Sequence, residues 1–243
     1  MGSMEVVGDL FYYRAEPAVP PRGAIVVIHE IWGLVDQIKG VADRWAAEGY
    51  LAVAPDILSR GGVTPDVGLE LQQALAHPDE AVRLEWQPRL REKLTAAREP
   101  EYARGALAQL VGLLDRLDEE PGVDGRIAVT GFCFGGTYAY ALAAEDDRVL
   151  AAVPFYGTAP AAEKIQDIGC PVLALVGELD VPIMERLPEV RAAMTAAGVD
   201  FEAVVYPEAR HAFFNETNPL AWNPEVAADA WARATAFVAK RLG

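Results

Sequence analysis

Short, continuous apolar runs alternate with segments of helical period from residue 24 to the end of the chain, and that order admits few architectures. The runs are Ala24–His29, Leu51–Pro55, Arg126–Thr130, Leu150–Tyr156, Pro171–Gly177 and Phe201–Tyr206. Most lack the in–out alternation of a half-solvated strand, so they read as strands covered on both faces. Between them, Leu107, Leu110, Val111, Leu114 and Leu117 recur at helical spacing, as do Val226, Ala230, Trp231, Ala234, Phe237 and Val238. Strand–helix alternation of this kind predicts an α/β fold, with a mostly parallel central sheet, helices on both faces and right-handed crossovers. Residues 5–13 read as one extra edge strand ahead of the alternation. A chain of 243 residues, 52 % hydrophobic and 23 % charged, suits a single domain over 1–243 and excludes disorder as its main state.

The stretch 56–100 is the least regular. It opens as a loop, Pro55-Asp56-Ile57-Leu58-Ser59-Arg60-Gly61-Gly62, and from 66 to 98 it is polar and helical, with Pro78 and Pro88 as breaks. Two readings stay open for it: a substrate-facing insertion or lid, and a passive surface excursion. With 36 acidic against 21 basic residues, the net charge of −15 repels nucleic acid and anionic lipid, so neither is an expected partner. No apolar run reaches the ~20 residues of a membrane-spanning helix. The start, MGSMEVVGDLFYY, has neither the basic nor the apolar region of a secretory signal, and Met1–Ser3 reads as a cloning scar. Myristoylation of the Met-Gly start wants Ser or Thr where Val6 stands. The two cysteines, Cys133 and Cys170, make no disulfide framework and lack zinc-finger spacing. The expectation is a cytoplasmic protein, monomer or small homo-oligomer, with no metal and no cofactor. In that setting the sequon Asn215-Glu216-Thr217 is a chance match.

The chemistry concentrates in RIAVTGFCFGGTYA, Arg126–Ala139. An apolar strand runs into Gly131-Phe132-Cys133-Phe134-Gly135-Gly136 and then a helix-compatible segment, a nucleophile-elbow pattern with cysteine at its apex. The apex residue takes strained backbone angles, and glycines beside it let strand and helix approach closely. Its side chain then stands at the carboxyl edge of the sheet and at a helix N-terminus, where the dipole favours a thiolate. The alternative is a buried structural cysteine beside a Gly-rich turn. Partners follow in the order nucleophile, acid, histidine. Asp180 lies just past the strand Pro171–Gly177, and His211 lies in the loop after Phe201–Tyr206. His211 would act as base toward Cys133 and acid toward the leaving group, and Asp180 would hold the imidazole tautomer. Phe134 and Ile31 are the candidate backbone donors to an oxyanion. Glu30, at the end of a buried strand, should have a raised pKa and suits a proton acceptor. His29 should point to the opposite face and stays structural, Cys170 reads as a core residue, and His77 has no assigned role.

G-F-C-F-G-G, the strand ending H-E-I-W-G, the G-E-L-D segment and A-R-H-A-F together resemble the dienelactone hydrolases, members of the α/β-hydrolase fold. The resemblance covers about residues 5–242. It implies a cofactor-independent hydrolase of small esters or lactones, working through a thioacyl enzyme on a Cys133–His211–Asp180 triad. It further implies that Glu30 takes the thiol proton when substrate binds, and that Ile31 and Phe134 form the oxyanion hole. Trp32, Tyr156 and Phe213 are the expected substrate-binding residues. The alternatives are the same fold acting as a catalytically silent binding protein, and a thiol-redox protein, which would need a resolving cysteine near Cys133.

Family members hold a substrate carboxylate with arginines and a serine, and here the chain departs. Ala212 stands where serine is typical, and Phe214, Asn215 and Glu216 occupy the stretch where an arginine is typical. Arg83, Arg89 and Arg91, with Trp86, lie in the irregular region and could supply a charge instead. The expected preference is therefore for neutral esters or lactones over carboxylated ones.

Overall fold

The computed structural model describes residues 2–243. In chain order its elements are β1 (Ser3–Val7), β2 (Leu10–Ala15), β3 (Ala24–Ile28), α1 (Asp36–Ala47), β4 (Leu51–Pro55), α2 (Pro65–Leu75), α3 (Glu80–Lys93), α4 (Pro100–Asp118), β5 (Ile127–Phe132), α5 (Phe134–Glu145), β6 (Val149–Phe155), α6 (Ala162–Ile165), β7 (Val172–Gly177), α7 (Val181–Ala197), β8 (Phe201–Tyr206) and α8 (Pro224–Leu242). The strands form one sheet in the order β1-β2-β4-β3-β5-β6-β7-β8. Strands β3 to β8 run parallel, and β1 and β2 extend the β4 edge as an antiparallel pair. Every residue of β3, β4, β5 and β7 is buried, which is why these strands read as continuous apolar runs.

Two apolar clusters cover the two faces. Ala24, Val26 and Ile28 point toward α4, α5 and α7, while Ile25 and Val27 point toward α1 and α8. The helical stripes behave as expected: Leu110, Leu114 and Leu117 of α4, and Ala230, Ala234 and Val238 of α8, are buried in these clusters. The chain passes from β3 outward to β4 and then returns to place β5 on the other side of β3. Direction therefore reverses between β3 and β5, and the crevice at their carboxyl ends is where open α/β sheets bind ligands.

Three expectations need correction. Residues 5–13 are not one strand: β1 and β2 are joined by a two-residue turn at Gly8-Asp9, with Gly8 at φ 59°. A Gly-Asp pair between strand-like segments is itself a hairpin signal. Strand β5 continues two residues beyond Thr130, to Phe132, so the elbow follows it without a loop. Pro88 does not break the irregular region but lies inside α3. That helix has no buried residue, and its Leu84 is exposed, so the carbonyl that Pro88 leaves without a donor can turn to water. Of the start read as a cloning scar, Met1 lies outside the described residues. Gly2 donates its N–H to the Tyr13 hydroxyl at 2.5 Å, and Ser3 opens β1. Among the described residues, no helix is long and apolar enough to cross a membrane.

Candidate active site

Cys133 sits between β5 and α5 with φ 56° and ψ −113°, a left-handed conformation that costs a non-glycine residue about 1–3 kcal/mol. The surroundings leave it no alternative. Its N–H donates to Phe155 O at 3.0 Å, anchoring the turn to β6. A Cβ on Gly131 would lie 2.1 Å from Gly135 O, and one on Gly135 would lie 2.2 Å from Ile28 O. Glycine at both positions lets the first turn of α5 press on the ends of β5 and β3 at once.

Asp180 and His211 arrive from neighbouring strand ends. Asp180 is the first residue before α7 but makes no capping hydrogen bond; its carboxylate, 5 % exposed, instead faces the His211 ring. His211 Nδ1 donates to Asp180 Oδ2 at 2.5 Å, and Cys133 lies near enough to favour the charged form of the ring. Burial pulls the imidazole pKa down, but the hydrogen bonds and charges of Asp180 and Cys133 outweigh it and raise the pKa to about 10. The loop carrying His211 is pinned to β7, with Leu179 N–H donating to Ala209 O at 2.9 Å.

Glu30 lies in the crevice between β3 and β5 and is buried. Its Oε2 accepts from Trp32 Nε1 at 3.0 Å and from Asn215 Nδ2 at 2.7 Å, and its Oε1 accepts from the Tyr156 hydroxyl at 3.0 Å. All three donors are neutral. Burial raises the Glu30 pKa against the opposing pull of Asn215, the His211 charge, Tyr156 and Trp32. Asn215 is itself oriented: its Oδ1 accepts from Thr217 N–H at 3.0 Å and from the Thr217 hydroxyl at 2.6 Å, which turns the amide nitrogen toward Glu30. Sequence reasoning named Asn215 in a chance sequon and in the stretch where family members carry an arginine that pairs with the oxyanion-loop glutamate, but gave Asn215 itself no contact.

The N–H groups of Ile31 and Phe134 find no protein acceptor among the described residues. The side chains of the same two residues pack on the cluster of Leu58, Val63 and Leu94, which the irregular region supplies. Helix α2 abuts this loop directly, because a Cβ on Gly68 would stand 1.7 Å from Trp32 O. Tyr156 has φ 38°, its ring centroid 5.0 Å from that of His211. Phe213 has no exposed surface; it packs behind Tyr156 at 5.2 Å and is not brought to the face of the crevice. Phe214 is likewise buried, with the Arg44 guanidinium over its ring. The remaining sequence-singled residues lie apart. Cys170 is buried, and burial pushes its thiol up to about 12. His77 accepts a hydrogen bond from Asp79 N–H on the surface. Arg83 donates to His77 O and Pro78 O, Arg89 lies over Trp86, and Arg91 donates to Gln87.

A residue at the apex of a strand–turn–helix, with an acid and a histidine from later strand ends on this sheet order, defines an α/β-hydrolase fold. Residues 11–242 match the dienelactone hydrolase family, and the chain belongs to that family. Among its relatives, a protein of Saccharolobus solfataricus bearing the name carboxymethylenebutenolidase is 33 % identical over 93 % of both chains. One of the same name from Yersinia pestis is 31 % identical, covering 93 % of this chain and 81 % of that one. A crystal structure titled as a dienelactone hydrolase of Klebsiella pneumoniae superposes with a TM-score of 0.82 at 28 % identity, covering 99 % of this chain and 98 % of that one.

Proposed function

We propose that this hydrolase cleaves small, uncharged carboxylic esters or lactones through a thioacyl enzyme on Cys133. The observation that carries the reading is Cys133 at the apex of the strand–turn–helix, with the His211 ring that Asp180 orients placed near it. The raised His211 pKa favours transfer of the thiol proton to the ring before substrate reacts, and Cys133 Sγ then attacks the carbonyl carbon as a thiolate. The carbonyl oxygen becomes an oxyanion held by the N–H groups of Phe134 and Ile31. Collapse breaks the bond to the leaving oxygen, which takes the proton from His211. Water then attacks the thioester with His211 as base, and the acid leaves with Cys133 restored. Glu30 is a second proton acceptor. A carboxylate has about four lone-pair sites, and three are filled, so one remains for a thiol proton.

The preference for neutral substrates rests on charge. Among the described residues, Glu30 is a buried carboxylate that accepts no hydrogen bond from an arginine or lysine, and Arg83, Arg89 and Arg91 are held on or beside α3. A substrate carboxylate would enter without the bidentate partner that an arginine gives it. The test is turnover of p-nitrophenyl acetate by wild type, Cys133→Ala, His211→Ala and Asp180→Asn. Cys133→Ala should be inactive, and the other two should lose roughly two to four orders of magnitude in kcat while remaining folded. Wild-type turnover by Cys133→Ala rejects the reading.

A further inference from the structure

We infer that His29 is the positioning residue of the oxyanion site, locking the Glu30–Ile31 peptide so that the Ile31 N–H faces the reacting carbonyl. The inference rests on the proposed function, since it assigns the Ile31 N–H a task in that reaction. His29 follows β3 and is fully buried, with its ring parallel to that of Phe134 at 6.1 Å. Its Nδ1 lies 2.7 Å from Glu30 O, and its Nε2 lies 3.2 Å from Ile57 N. A carbonyl oxygen can only accept and a backbone N–H can only donate. The two contacts together therefore require a neutral ring with its proton on Nδ1, since a charged imidazole has no acceptor to offer. Burial lowers the His29 pKa, in the same sense, although Asp56 opposes it.

The consequence follows from peptide geometry. Glu30 O accepts from His29 Nδ1 and also from Gly33 N–H at 3.2 Å. The peptide unit is planar and trans, so its C=O and the following N–H point in opposite directions. Fixing Glu30 O toward His29 and Gly33 turns the Ile31 N–H the other way, where it meets no protein acceptor. The first turn of α5 lies against the same segment, since a Cβ on Gly135 would be 2.5 Å from His29 O. The unpaired N–H of Phe134 belongs to that turn. Through Ile57 N, His29 ties this arrangement to the residues just after β4, so the donor is held from two strand ends.

The test separates positioning from packing. His29→Phe keeps a planar ring against Phe134 and removes both hydrogen bonds. For p-nitrophenyl acetate, its kcat should fall about 10- to 100-fold, below or near the effect of deleting one oxyanion donor outright, with KM within about twofold. Alkylation of Cys133 by iodoacetamide builds no oxyanion and should stay within about twofold of wild type. His29→Asn can place an amide N–H near the Nδ1 position, whereas His29→Gln reaches the Nε2 position. Asn should therefore retain at least about fivefold more kcat than Gln. Wild-type kcat in His29→Phe, a parallel loss of kcat and alkylation, or equal kcat in Asn and Gln overturns the inference. Should His29→Phe not fold, the Asn and Gln pair still decides it. Failure of the proposed function is seen separately, as turnover that survives Cys133→Ala.

Discussion

Glu30, a proton acceptor in the proposed reaction, is a residue whose burial works against stability. Its carboxyl pKa is raised by burial, so ionisation costs the folded state more than the unfolded one. The sign follows: stability falls as pH rises from about 4.5 through the raised value. Glu30→Gln should therefore melt at the same or a higher temperature at pH 8. A glutamine can still accept from Trp32 and Asn215 and donate to the Tyr156 oxygen. Its kcat should nonetheless fall at least about tenfold, and wild-type turnover across pH 6–9 would remove Glu30 from the reaction. His211 has the opposite sign. Its pKa of about 10 means its stabilising contribution is complete below about 6.5 and lost as pH rises toward 10. The ring is 43 % exposed, so solvent screens part of this effect. Urea midpoints should drop from pH 7 to pH 10 in wild type and drop less in His211→Gln; equal slopes would contradict the coupling. At this scale the elbow, Asp180 and His211 were legible because each follows an apolar run. The Thr217–Asn215–Glu30 chain was not, because hydrogen bonds between residues 185 positions apart leave no local pattern.

The elements were legible wherever burial imposes a period. Continuous runs gave the six parallel strands to within two residues, and the leucine stripe gave α4. The β1–β2 hairpin was read as one strand because Gly8 and Asp9 interrupt the run by only two residues. Pro88 misled because a proline stops a helix when its neighbours need the lost hydrogen bond, and solvent meets that need on α3. The irregular region proves to have two parts. Helix α2 presses on Trp32 through Gly68, whereas α3 buries no residue. Gly68→Ala must push α2 away from the loop bearing Ile31, at about 1–3 kcal/mol of overpacking strain. It should lower both Tm and kcat, whereas Gly105→Ala, where a Cβ meets nothing within 4 Å, should lower neither. Equal kcat in the two variants would mean that α2 does not support the site.

Across the whole molecule, sheet order and charge act together. The reversal between β3 and β5 puts Glu30 and Cys133 on adjacent strand ends, and an eight-stranded sheet fixes their spacing. The net charge of −15 adds a field that discourages anions from the crevice. A neutral lactone should thus exceed a carboxylated dienelactone of similar size by at least about tenfold in kcat/KM, or ~1.4 kcal/mol. Raising ionic strength should narrow the gap by screening the general field, but should leave the part set by Glu30. Equal values for the two substrates at low salt would mean that a cation reaches the site when substrate binds.

All of these expectations depend on where the acyl group is carried. The most direct measurement is rapid quenching of the enzyme with p-nitrophenyl acetate in acid, followed by peptide mass analysis. The account predicts an acetyl group on the peptide containing Cys133, formed at a rate no slower than kcat and absent from Cys133→Ala. An acetyl group on any other residue, formed and lost at the turnover rate, would contradict it, as would full turnover by Cys133→Ala.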